Sequence, residues 1–158
     1  MEYIAGPIEA YFQADWVFGQ DNESPHVTDY GHWITLDPLW SGGKQGGRWS
    51  HGNWTGGFWA GLLWLAYRHS GDENFAQDAN LWAGRFRPRT SDETTNDLGI
   101  LFWPPHALGL ELTSRTDLRE SALAAARTLL RRYCPAAGLI QARGPIGDPE
   151  LGGSTWSD

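Results

Sequence analysis

From Trp54 to Tyr67 the chain carries no charged residue. Wound as a helix this stretch has no polar stripe, and a helix that is apolar all round is expected to be enclosed by other elements. Phe58, Leu62 and Leu65 recur on one side at helical spacing, and Trp59, Leu63 and Ala66 on another. Gly56, Gly57 and Gly61 each lower helix propensity by roughly 1 kcal/mol relative to Ala. Such a helix has to be held by its neighbours, whose backbones the glycines allow to come close. Gly71 reads as the C-cap, and Asp72 opens the element that follows. The expectation is a central helix, buried on every side, in an all-helical domain.

The rest of the chain supports that class. A first helix is expected over Pro7–Phe18, with Pro7 in its first turn. Residues Gln20 to Asn53 read as a long irregular connection, rich in Gly, Pro, Asp and Ser but also carrying Trp33, Trp40 and Trp49. Asp72 to Phe86 is an amphipathic outer helix with Phe75, Ala76, Ala79, Trp82, Ala83 and Phe86 in register. Pro104 and Pro105 argue against a helix running through them, so the third helix is expected from Pro104 to Thr113. Asp117 is expected to cap a fourth, with Leu118, Ala122, Ala125, Leu129 and Tyr133 on one face. Leu65 to Ser70 aligns with Leu108 to Thr113, and Phe75…Ala79 with Leu118…Ala122, both at an offset of 43 residues. The unit is an inner apolar helix, a tight polar turn and an outer amphipathic helix. Repeated at this period it builds a helical solenoid or a closed ring of hairpins.

Composition removes other classes. A net charge of −7 without a basic run argues against a nucleic-acid partner. The lone Cys134 forms no internal disulfide and suits a reducing compartment. Met1 to Gln20 has neither an early Lys or Arg nor an apolar run of signal length, so a cytoplasmic chain with no membrane contact is expected. The 5 histidines lack metal-ligand spacing, and no catalytic metal or cofactor is expected. The 10 tryptophans suit sugar rings, whose apolar faces stack on indoles, although most are expected to pack the core.

Asn53-Trp54-Thr55-Gly56-Gly57-Phe58-Trp59-Ala60-Gly61-Leu62-Leu63-Trp64, the Ser70-Gly71-Asp72 turn and Asn96-Asp97-Leu98-Gly99-Ile100 together resemble the unsaturated glucuronyl hydrolases of glycoside hydrolase family 88. The resemblance spans roughly Trp49 to Arg143, the first part of such an enzyme. It implies helical hairpin repeats belonging to an (α/α)6 barrel of the six-hairpin glycosidase type. Residues 1–158 are then expected as a single domain, an N-terminal fragment of a longer catalytic domain. The implied reaction removes an unsaturated uronic acid from the non-reducing end of a lyase-generated oligosaccharide. A proton goes to C4 and water adds to C5, and the hemiketal then opens and releases the remaining sugar. The resemblance makes Asp97 the first of the family's two essential aspartates, Trp54 a substrate-stacking residue and Asn96 a substrate-binding one. A carboxyl that donates a proton is helped by apolar surroundings, and Leu98, Ile100, Phe102 and Trp103 follow Asp97.

The chain departs from the family pattern in two places, with Asn96 where His is usual and Ile100 where Phe is usual. Asn96 accepts and donates hydrogen bonds but carries no charge. The second aspartate, ahead of a Met-Met-Asn-like sequence, has no counterpart here. Judged without the resemblance, Asp97 reads as a capping carboxylate and Trp54 as core. The competing function is a non-catalytic helical-repeat binding scaffold or an inactive truncated relative. An open half-ring would also expose its inner helices to water and favour self-association.

Overall fold

A computed structural model of the chain describes residues 24–29, 32–45 and 48–153. The helix expected over Pro7–Phe18 lies outside them. Strands β1 (Ser24–Asp29) and β2 (His32–Leu36) pair antiparallel, as do β3 (Ser41–Gln45) and β4 (Arg48–Gly52). The irregular connection expected before Asn53 is therefore, where described, mostly two hairpins. Val27, Thr28, Trp33, Ile34 and Thr35 favour extended backbone, and the Gly, Pro and Asp residues between them punctuate turns instead of abolishing strands.

Two helical hairpins follow. Helix α1 (Gly56–Ser70) is inner and α2 (Glu73–Phe86) outer. A 3-10 turn at Arg87–Ser91 leads towards α3 (Leu98–Phe102), a π-helical turn (Trp103–Ala107) and α4 (Leu108–Thr113), which together form the second inner element. Its outer partner is α5 (Thr116–Leu130), and β5 (Tyr133–Cys134) pairs with β6 (Leu139–Ile140). The repeat is real: the inner helices end at Ser70 and Thr113, and the outer ones begin at Glu73 and Thr116, 43 residues apart in both cases.

Three expectations are corrected here. The second inner element begins at Leu98 and passes through both prolines, where a helix start at Pro104 was expected. The π-helical turn absorbs residues without N–H groups, and the Trp64 indole donates to the Pro105 carbonyl at 2.7 Å. Arg115, not Asp117, occupies the cap position of α5, and Asp117 sits in its first turn. There the Asp117 carboxylate takes ion pairs from Arg115 at 2.7 Å and Arg87 at 2.8 Å, which occupy the oxygens a cap would use. Finally, α1 is not enclosed. Phe58, Leu62 and Leu65 are 49%, 52% and 46% exposed, because no described element covers that side.

The other sides of α1 are tightly held. A Cβ on Gly57 would lie 2.3 Å from the Ile100 carbonyl oxygen, and one on Gly61 2.6 Å from the Pro104 Cβ. The two inner elements thus touch along a stripe that only glycine permits. Trp64, Ala60 and Leu63 meet Trp82 and Phe86 of α2, Leu101 and Phe102 of α3, and Leu118 of α5 in one core.

Candidate functional site at the N-terminal ends of the inner helices

Because the two inner elements run side by side and contact each other in their first turns, the residues preceding them share one end of the fold. Trp54 precedes α1, and Asn96 and Asp97 precede α3.

Asn53 builds the first half. Fully buried, its Oδ1 accepts from the Gly56 amide at 3.1 Å, and its Nδ2 donates to the Leu36 and Asp37 carbonyls at 3.0 and 3.1 Å. Its own amide donates to the Trp40 carbonyl at 2.9 Å, and its carbonyl accepts from the Arg89 guanidinium. These bonds tie the strand hairpins, the start of α1 and the 3-10 turn together. Trp54 is left half-buried, its ring meeting Phe58 edge to face at 6.3 Å. An indole in that state retains apolar surface for stacking.

The second half is the loop from Asp92 to Asp97. Asp92 forms a buried ion pair with Arg89 at 3.0 Å and accepts from the Thr94 amide and hydroxyl. Burial works to raise the Asp92 carboxyl's pKa, but the Thr94 hydrogen bonds and the Arg89 charge bring it below its ordinary value. Thr95 is fully buried; its hydroxyl donates to Asp97 Oδ2 at 3.2 Å and accepts from the Asp97 amide at 3.0 Å. The Asp97 carbonyl receives the first bond of α3, from Leu101 at 2.9 Å, yet its carboxylate makes no capping bond to that helix. The carboxylate is therefore not used as the cap that its position alone suggests. Asn96 presents an enclosed Oδ1 with no hydrogen-bond partner among the described residues.

The surroundings of Asp97 are charged where apolar ones were expected. Leu98 and Phe102 turn into the core and Trp103 is 71% exposed. Two buried guanidinium groups, Arg89 and Arg132, lie close enough for their charges and that of Asp97 to act on each other. In both arginines burial lowers the pKa, and nearby carboxylates, Asp97 included, push it back up.

Sequence reasoning missed Asn53, Arg89 and Arg132. The Arg89…Asp92 spacing was a usable signal, since an i, i+3 pair of opposite charge within one turn meets readily. Nothing separates Arg131 from Arg132 in sequence. Arg131 is 65% exposed and pairs with Glu93, while Arg132 is inside. Asp148, an acidic residue without a role in sequence, has its Oδ1 committed to the Glu150 and Leu151 amides. Among the described residues no group of three His, Cys, Asp or Glu could hold a metal ion, and no helix is long and apolar enough to cross a membrane.

An unsaturated glucuronyl hydrolase of Bacillus sp. (strain GL1) is 38% identical over 93 residues, which are 56% of this chain and 24% of that protein. The crystal structure of unsaturated glucuronyl hydrolase from Bacillus sp. GL1 superposes with a TM-score of 0.68 at 31% identity, covering 84% of this chain and 33% of that one. The chain is related to the unsaturated glucuronyl hydrolases. An unsaturated chondroitin disaccharide hydrolase of Streptococcus pyogenes serotype M1 is 38% identical over 89 residues, 54% of this chain and 22% of that protein. A UGL structure carrying an Asp-to-Asn substitution, with dGlcA-Glc-Rha-Glc, matches with the same TM-score of 0.68. No family model matches the chain. The chain spans about a quarter of the length of the curated relatives it matches. Unsaturated glucuronyl hydrolases are α/α barrels, and the two hairpins described above are part of that architecture.

Proposed function

We propose that this chain forms the N-terminal part of a longer (α/α)6 catalytic domain, of glycoside hydrolase family 88, that removes an unsaturated uronic acid from the non-reducing end of an oligosaccharide. The observation that supports the reading is that Trp54 precedes α1 and Asn96 and Asp97 precede α3, two helices whose first turns come close at Gly57 and Ile100. Trp54 supplies an apolar face for a sugar ring. The Asn96 side-chain amide can hydrogen-bond a sugar carboxylate or hydroxyl, and the Asp97 carboxylate, not used as a helix cap, accepts a hydrogen bond from the reacting water or the sugar. Hydration of the C4=C5 bond destroys the conjugation with the carboxylate, so the reaction is followed by loss of ultraviolet absorbance. The substrate is an unsaturated uronic-acid oligosaccharide, and a cytoplasmic location fits its production by a lyase upstream.

The test is Asp97→Asn in the full-length protein. Turnover of unsaturated disaccharide is expected to fall by about 100-fold or more, and a change within a few-fold would remove Asp97 from the catalytic set. The 158-residue chain alone is expected to show no turnover and to self-associate through the exposed Phe58, Leu62 and Leu65 side of α1. A monomeric and active 158-residue chain, seen by light scattering and the absorbance assay, would overturn the fragment reading.

A further inference from the structure

The two buried guanidinium groups, Arg89 and Arg132, are not equivalent. Arg89 is neutralised on contact by Asp92 at 3.0 Å. Arg132, 1% exposed, spends its three nitrogens on main-chain carbonyls: Nε on Gln141 at 2.9 Å, Nη1 on Glu93 at 2.6 Å and Nη2 on Gly144 at 2.9 Å. Among the described residues no carboxylate touches it. Its charge is answered at longer range by Asp92 and Asp97. The remaining ionisable groups near it are otherwise engaged. The Glu93 carboxylate turns onto Arg131. Asp148, which borders the same pocket as Arg132, is committed to backbone amides. A buried charge without a contacting counter-ion is costly and stays only where the surrounding structure imposes it.

We propose that Arg132 is a positioning residue for Asp97, pinning the 92–97 loop through its bond to the Glu93 carbonyl. The proposal rests on the reading of Asp97 as a site residue. Its Nη1 bond holds the Glu93 carbonyl, four residues before Asp97, against the segment from Gln141 to Gly144. The fork-shaped guanidinium does this with three directed donors, which a lysine cannot reproduce.

The experiment compares Arg132→Gln and Arg132→Lys in the full-length enzyme, by kinetics and by amide hydrogen exchange of the 92–97 loop. Both variants are expected to lower kcat about tenfold with KM within about twofold, since neither side chain holds three carbonyls at once. Both are expected to speed exchange at the Thr94 and Asp97 amides while exchange in the core of α1 is unchanged. Wild-type kcat in either variant, or wild-type exchange in the loop, would overturn the proposal. If Arg132→Gln does not fold, Arg132→Lys decides alone on the same two readouts. A wild-type enzyme without turnover, whose loop exchange nevertheless rises in the variants, sinks the hydrolase reading and leaves the role of Arg132 intact.

Discussion

The two hairpins repeat one plan with different local chemistry. In the first, Gly71 takes the left-handed turn at φ 71°, and the Asp72 side chain caps α2 by accepting from the Asn74 amide at 2.9 Å. In the second, Ser114 takes the equivalent turn at φ 57° and Arg115 holds the cap position without a capping side chain. The first inner helix is an unbroken run of 15 residues; the second needs a π-helical turn to pass two prolines. That turn buries His106 completely, its ring 4.9 Å from that of Phe102, and neither ring nitrogen has a hydrogen-bond partner of normal geometry among the described residues. A tolerant turn and an irregular helix are affordable in the second hairpin because α5 clamps it from outside through Leu118 and the Asp117 ion pairs. Local preference is weak beside packing, and here it is overruled in one copy of the repeat and obeyed in the other.

The contact between the hairpins gives the largest expected effect. Gly57→Ala puts a Cβ 2.3 Å from a main-chain oxygen that cannot move aside. It is expected to cost about 3 kcal/mol in urea denaturation. Gly84→Ala is the control in the outer helix, where nothing lies within 4 Å. It is expected to stabilise by up to about 1 kcal/mol. If both glycines behaved alike, the glycine stripe would not be what joins the inner elements.

The π-helical turn gives the next effect. Burial lowers the His106 pKa from 6.5 to about 4, with the Arg87 charge acting in the same direction and the Phe102 carbonyl and Asp117 against it. A neutral buried histidine in the native state means that the unfolded chain binds the extra proton. The stability it confers is full above pH 6.5 and is lost as the pH falls towards 4. His106→Leu is expected to flatten that fall by on the order of 3 kcal/mol between the two pH values, measured as the difference between wild type and variant. An unchanged slope would mean that His106 is not the group that titrates.

The smallest effect lies in the turns. Gly71→Ser and Ser114→Gly exchange the residues at matched left-handed positions and are expected to shift stability by about 1 kcal/mol in opposite directions. Equal signs would show that the two turns are not equivalent in energy, despite their matched geometry.

Much of this was legible in sequence because it rests on spacing. The hairpin unit, its 43-residue period, the Gly71 cap, the outer face of α2 and the close approach at Gly57 and Gly61 follow from periodicity and from where a side chain is missing. The placement of Trp54 at the start of an inner helix follows as well, whereas that of Asn96 and Asp97 does not, because the second inner helix was expected to start only at Pro104. The strands before Asn53 were obscured because turn residues outnumber β-branched ones there. The helix through Pro104 was obscured because a π-helical turn has no distinct sequence signature.

The sequence by itself determined the helical class, the repeat and the order in which inner and outer elements alternate, since amphipathic period and capping act within a few residues. Tertiary structure alone decided which face of α1 no described element covers, which of Arg131 and Arg132 goes inside, and that two buried guanidinium groups lie near enough to Asp97 for their charges to act on one another. Those outcomes depend on what lies across the fold. Burial of a charge or an apolar stripe is settled by partners distant in sequence, and no local pattern carries that information.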